Sequence, residues 1–218
     1  LQSLQRYEDA IAIFNQYVGK YPSGAQWAEA QREMLDAEYS IGVKHRSDGE
    51  WQKARETWTE FLAAHPLDSR ARTIAFDLGE LYIHQAQEEN EKDLRAWQDE
   101  NLSLLHRKAI AEWDNLAKKY EQSDEASRAL YFIGSNLEVE LLELGKSIEY
   151  YRRCNFGSYA GHAATRLREM TKSSLAIQTE RIWRSSEDAQ VKVFVRNTEK
   201  LTVRIFNLDL EAYFRKHL

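Results

Sequence analysis

Cysteine, proline and long apolar runs are what this chain has least of. A single cysteine, Cys154, excludes an internal disulfide framework and a cysteine-based zinc cluster. Two prolines, with 43% hydrophobic and 30% charged residues, exclude a collagen-like, proline-rich or disordered chain. Nowhere do 18 apolar residues follow one another, so no segment reads as a membrane span. Glycine-rich phosphate loops, nucleophile elbows and paired catalytic carboxylates are missing too. The six histidines include no His-Glu-x-x-His. His84 and Glu88 share a helix face at i,i+4, but two ligands without a third make a poor zinc site. The expectation is a non-enzyme with no catalytic, cofactor-binding or metal-binding residues. Cys154 is expected as an inert buried thiol. His45, His65 and His106 are expected near helix ends, capping carbonyls or answering the dipole.

The 218 residues suffice for one elongated domain, or one domain and a piece of another. The net charge of −5 argues against a nucleic-acid groove. Its distribution is uneven. Residues 1–150 carry 28 acids against 17 bases, a net of −11, whereas residues 151–184 carry two acids against seven bases, a net of +5. Such a basic end complements the acidic faces of its own chain or of a neighbouring domain, or attracts an anionic partner. The first residues, Leu1-Gln2-Ser3-Leu4-Gln5-Arg6, are already polar and lack an initiator Met and an apolar leader core, which reads as a piece of a longer protein.

The period of the apolar residues changes near residue 175. Val, Ile and Thr number 16 in residues 1–174 and 10 in residues 175–208 alone. The first stretch therefore favours helix and the second strand. Apolar spacing predicts helices over 4–20, 25–45, 50–64, 68–90, 93–119, 124–143, 146–154 and 159–172. Beyond them, Val191, Val193 and Val195 alternate, as do Leu201, Val203 and Ile205, with Arg196-Asn197-Thr198-Glu199-Lys200 between them. That predicts a hairpin of these two strands, preceded by a strand over 175–182, with a helical tail from Asp209.

The helical part repeats itself. Ala10, Phe14, Tyr17 and Pro22 recur 44 residues later as Ala54, Trp58, Phe61 and Pro66. Ala109, Trp113 and Leu116 form a third copy, with Glu121 in place of proline, and Ser147, Tyr151 and Cys154 a weaker fourth. A small residue lets two helices approach while aromatics one and two turns on fill the space beyond. Upstream of three copies stands an aliphatic–glycine pair: Ile41-Gly42, Leu78-Gly79 and Ile133-Gly134. Glycine inside a helix costs about 1 kcal/mol relative to alanine, so its recurrence implies a close crossing by a partner helix. Trp58, Trp113, Phe14 and Tyr151 are accordingly core residues. Trp27, Trp51, Trp97 and Trp183 are freer to act as surface anchors.

This pattern resembles the tetratricopeptide repeat over roughly residues 4–172. The resemblance implies a mainly α fold: a right-handed α-solenoid of antiparallel helix pairs over residues 1–173. It departs from the consensus through an insertion around 88–105, expected to lengthen both helices of its unit, and through Gly145, which alters the last turn. The resemblance also implies a protein-binding scaffold whose first helices line a concave groove. The corresponding positions here are Asp36, Tyr39 and Val43, then Phe76, Asp77 and Glu80, then Arg128, Tyr131 and Ser135. Carboxylate-clamp versions carry Lys, Arg and Asn there. This acidic and aromatic mixture instead implies a basic or apolar peptide, or another domain of the same protein.

A second resemblance rests on Ile182-Trp183-Arg184 through Val191-Lys192-Val193, then Arg196-Asn197 and Leu201-Thr202-Val203-Arg204-Ile205-Phe206-Asn207-Leu208-Asp209. These residues resemble the opening strands of the first macroglobulin-like domain in bacterial α2-macroglobulin-type proteins. The resemblance implies that residues 174–218 begin a β-sandwich, incomplete at two or three strands, in a large protease-trapping protein of the periplasm or cell surface. The family's Cys-Gly-Glu-Gln thioester motif is absent, since Cys154 precedes Asn155-Phe156-Gly157, and no bait region is recognisable. The chain alone is thus no trap.

Overall fold

The computed structural model describes residues 4–92, 100–179, 181, 183, 184, 187, 188, 190–204 and 209–217. Trp97, Ile182, Ile205 and Phe206, all used in the sequence reading, lie outside the described residues. The chain divides into two compact units, Leu1–Leu167 and Arg168–Leu218.

In the first unit the helices are α1 (Leu4–Lys20), α2 (Trp27–Ser47), α3 (Trp51–Ala64), α4 (Ala71–Lys92), α5 (Glu100–Lys119), α6 (Asp124–Val139) and α7 (Leu144–Arg153), followed by most of α8 (Ala160–Thr171). Each helix from α1 to α6 packs on the next in sequence, and α4 also reaches α6. That nearest-neighbour pattern is the mark of a helical solenoid. The repeat explains the packing. Ala54 and Ala109 have no exposed surface, Ser147 takes their place in the fourth copy equally buried, and Ala10 is half-buried. Trp58, Trp113 and Tyr151, one turn further on, are buried as well.

The recurrent glycines make this possible. A Cβ on Gly42 would stand 2.0 Å from Trp58 Nε1, and one on Gly79 2.3 Å from Trp113 Nε1. At Gly134 the nearest atom would be Tyr151 Cε1 at 2.7 Å. The aromatics of α3, α5 and α7 therefore fill the places where α2, α4 and α6 lack a side chain. The same ring is fixed by its polar atom: Trp58 donates to the Tyr39 carbonyl at 3.3 Å and Trp113 to the Phe76 carbonyl at 3.0 Å. In the fourth copy Ser147 Oγ donates to the Gly134 carbonyl at 2.8 Å, and Tyr151 turns its hydroxyl to Glu138 at 3.0 Å.

Helix ends differ from expectation where local capping wins. Ser123 caps α6 by accepting from the Ala126 amide at 3.0 Å. The helix stops at Val139, before the expected 143. The amides of Glu140 and Leu141 both bond to the Asn136 carbonyl, and Glu143 N bonds to Leu137 O at 2.7 Å, across Leu142 at φ +54°. This left-handed stop satisfies the carbonyls of Asn136 and Leu137. The 88–105 insertion lengthens α4 and α5, which pack together through Ala86, Leu102, Leu105 and Tyr82.

The second unit holds β1 (Ser174–Gln178), β2 (Lys192–Arg196) and α9 (Leu210–His217). β1 and β2 pair antiparallel with Leu175 opposite Val195 and Ile177 opposite Val193. This corrects the expected hairpin. β2 pairs backwards with β1, and residues 201–204 are not in a strand. The reason lies at Asn197, at φ +53°. Its amide donates to the carbonyls of Met170 at 2.7 Å and Lys172 at 3.1 Å, while Ser173 Oγ donates to Asn197 O at 2.8 Å. The orphan carbonyls at the end of α8 thereby capture the would-be turn, which sets β2 beside the chain leaving that helix. Leu175, Ile177, Val193 and Val195 share one face of the ribbon, and all ten strand residues are exposed.

Candidate functional site

The nine expected residues lie three each on α2, α4 and α6. In each helix the residue three before the glycine is aromatic: Tyr39, Phe76 and Tyr131. Each ring lies against the aromatic that the glycine admits. Tyr39 stacks on Trp58 at 6.0 Å, Phe76 on Trp113 at 5.5 Å, and Tyr131 tilts against Tyr151 at 5.7 Å. Helix spacing thus couples the face to the core.

Phe76 is a correction. At 1% exposure, with the Arg128 guanidinium 3.8 Å above its ring, it belongs to the core beneath the face. Val43 is half-buried against the cluster of Met34, Leu35, Trp58 and Ile74. Tyr131 belongs to an aromatic group with Phe132, Tyr159 and His162. Ser135 is half-buried on α6.

The charged residues are matched. Asp77 is nearly buried, accepts from Tyr39 Oη at 3.4 Å and lies 3.9 Å from Arg46. Burial pushes its carboxyl up to about 6, with Glu80 adding to the rise and Arg46, Arg128 and the Tyr39 hydrogen bond opposing it. The same burial, with Asp77 beside it, raises the Tyr39 phenol. Glu80 pairs with Arg128 at 3.1 Å, its carboxylate 23% exposed against 37% for the guanidinium. Asp36 stands apart, held by Arg70, which also binds Asp68 at 2.9 Å. The structure thus joins Tyr39, Asp77, Glu80 and Arg128 into one patch and leaves Asp36, Tyr131 and Ser135 outside it. Sequence reasoning missed Arg46 and Arg70. Arg46 was legible, because it follows Tyr39 and Val43 on one helical stripe.

Elsewhere the expected chemistry is occupied by packing. Trp51 stacks on His84 at 6.0 Å and donates from Nε1 to Glu88 at 2.6 Å, so one indole engages both members of the i,i+4 pair. His45 Nδ1 meets Glu50 at 2.6 Å, and His65 caps α3 while facing Glu38 at 3.3 Å. His106 differs from expectation: it sits in the second turn of α5, where Nδ1 bonds Asn136 Oδ1 across to α6 at 2.6 Å. Cys154 is buried, donates to Ser127 O at 3.2 Å, and has its thiol pushed up by burial. Of the basic residues, Arg153 pairs with Asp114 at 3.4 Å and Arg166 with Glu138. Among the described residues no three His, Cys, Asp or Glu side chains converge on a point. No described helix is long and apolar enough to cross a membrane.

A family profile for the tetratricopeptide repeat matches residues 1–24, the segment that carries Ala10, Phe14, Tyr17 and Pro22. No curated protein matches the chain. The profile match and the mainly helical fold agree on a tetratricopeptide-like helical repeat, and modules of that kind are scaffolds for protein–protein interaction.

Proposed function

We propose that the chain is a non-enzymatic scaffold that docks a protein or peptide on the α2–α4–α6 face. The observation that carries this reading is the patch of Tyr39, Arg46, Asp77, Glu80 and Arg128, whose side chains are held by stacking and ion pairing. Groups fixed in advance lose little entropy when a partner arrives. Each acid of the patch has an arginine beside it, so the bound segment is apolar or carries basic side chains that take over a carboxylate. Asp36 and Ser135 extend the contact to either side.

We further propose that this solenoid is the N-terminal region of a larger bacterial α2-macroglobulin-like protein outside the cytoplasm, with residues 174–218 opening its first sandwich domain. Support comes from the one-faced aliphatic ribbon, which suits the inner side of a sandwich. A protease-trapping machine in which the solenoid docks or spaces the trap is the alternative. Full-length protein that neither inhibits proteases nor forms covalent adducts with them would remove that alternative and leave the scaffold intact.

The scaffold itself is tested by panning a displayed peptide library against the full chain. Selected peptides should lose binding to the Glu80→Ala/Arg128→Ala variant and keep it for Glu60→Ala on α3. Equal binding to both variants rejects the face.

A further inference from the structure

A second site lies away from that face, where the lengthened α4 and α5 meet the end of α6. It is a cleft of about 340 Å³ whose polar groups include His106, Asn136 and Glu140. Its tautomer is set by a chain of hydrogen bonds. Asn136 Nδ2 donates to the Phe132 carbonyl at 3.3 Å, which leaves Oδ1 to accept from His106 Nδ1–H at 2.6 Å. In that tautomer Nε2 carries the ring's lone pair, and it faces Glu140 Oε2, 3.9 Å away. That separation is too long for a hydrogen bond between them.

Glu140 itself is unexplained by folding. It is the C-cap of α6, where the helix dipole is negative and a carboxylate is disfavoured. Its side chain is 50% exposed, and among the described residues it has no closer ionic partner than His106. The nearby Arg107 is already taken by Glu143 at 2.6 Å. Two acceptors and a helix C-terminus thus converge on one opening, where Arg107, the cation among the lining residues, is engaged by Glu143.

We propose that this cleft binds a primary ammonium group, held between His106 Nε2 and the Glu140 carboxylate. A nitrogen about 2.8 Å from each acceptor would subtend about 90° between them, about 20° under the spread of two N–H bonds of an ammonium, a bend that hydrogen bonds tolerate. A zinc ion about 2.1 Å from each would need about 135°, about 25° too wide for a tetrahedral centre, and would find only these two ligands. The methylene stem of the amine lies along Ile83, Ala86, Leu102 and Leu141. Lysine side chains and free alkylamines share this chemistry.

The test follows the His106 ring signals by NMR in the full chain. The probes are Nα-acetyl-lysine N-methylamide, n-butylamine, the norleucine counterpart of the first, and zinc chloride. Both amines should shift the ring signals saturably, and the norleucine compound should not. A tighter fit of the lysine probe than of n-butylamine assigns the site to protein side chains, and equal affinities assign it to free amines. Glu140→Gln should weaken amine binding about tenfold or more, the loss of one charge-assisted hydrogen bond, while its melting temperature stays level or rises. Equal shifts with the norleucine compound, unchanged affinity in Glu140→Gln, or a response to zinc alone would overturn the proposal.

Discussion

The solenoid and the ribbon treat the same kinds of residue in opposite ways. In the helical unit Trp58, Ile74, Leu81 and Trp113 are buried, each covered by helices close to its own in sequence. In the ribbon Leu175, Ile177, Val193 and Val195 form an equally regular apolar stripe, and every one is exposed. Regular spacing creates an apolar face in both regions. It becomes a core only where another element of the chain is positioned to meet it. In the solenoid each repeat supplies that cover for its neighbour, and the glycine opposite each of Trp58, Trp113 and Tyr151 is the mechanism.

The sharpest way to break the comparison is to delete a ring that the solenoid covers. Trp113→Ala empties a buried site bounded by Phe76, Gly79 and Phe132, and should cost about 3–5 kcal/mol in a urea titration. The converse operation fills the space. Gly42→Ala places a methyl 2.0 Å from the Trp58 indole and should cost about 2–3 kcal/mol, against the gain of about 1 kcal/mol that alanine gives in an open helix. Gly19→Ala, with no neighbour within 4 Å of its Cβ, is the control and should be neutral or stabilising. Were Gly42→Ala to stabilise as well, the packing role of the repeat glycines would be wrong.

How much of this was legible follows from where the determinants lie. Helices α1 to α8 were readable because the Ala–aromatic and aliphatic–glycine spacings are local and repeated. The start of α4 slipped to Ala71 because Asp68 captures the Arg70 amide at 2.8 Å, a side-chain bond that periodicity does not register. The ribbon was misread for a different reason. Val191–Val195 and Leu201–Ile205 alternate equally well, but Asn197 is tied to the carbonyls ending α8, 27 residues earlier in the case of Met170. Such a contact leaves no local signature. The α2–α4–α6 face was half legible. Its positions followed from the repeat, yet Phe76 was read as surface because a 3.6-residue period does not separate a ring lying on the face from one lying beneath an arginine.

Asp77 tests the electrostatic side of that face. Its carboxyl titrates near 6 in the fold and near 3.8 when free. Since the folded value is the higher, the folded state binds the extra proton between those values, and stability falls as pH rises from about 4 to about 6. The shift sets a ceiling of about 3 kcal/mol. Asn keeps the hydrogen bond from Tyr39 and removes the buried charge, so Asp77→Asn should stabilise the fold by about 1–2 kcal/mol at pH 7. The gain should vanish below pH 4. Melting curves at the two pH values check it, and a variant that loses stability at pH 7 would mean that the pairs with Arg46 and Arg128 outweigh burial.

The smallest effect belongs to the ribbon and tests it most directly. Ile177 is 66% exposed on β1, which pairs with β2. Replacing it with serine removes little apolar surface that the fold has hidden from water. Its β-branched shape contributes only through the cross-strand contact with Val193. Ile177→Ser should therefore change the unfolding free energy by less than about 0.5 kcal/mol. A loss approaching that of Trp113→Ala would show that the aliphatic stripe is covered in solution, and the contrast between the two regions would then reduce to one of what each packs against.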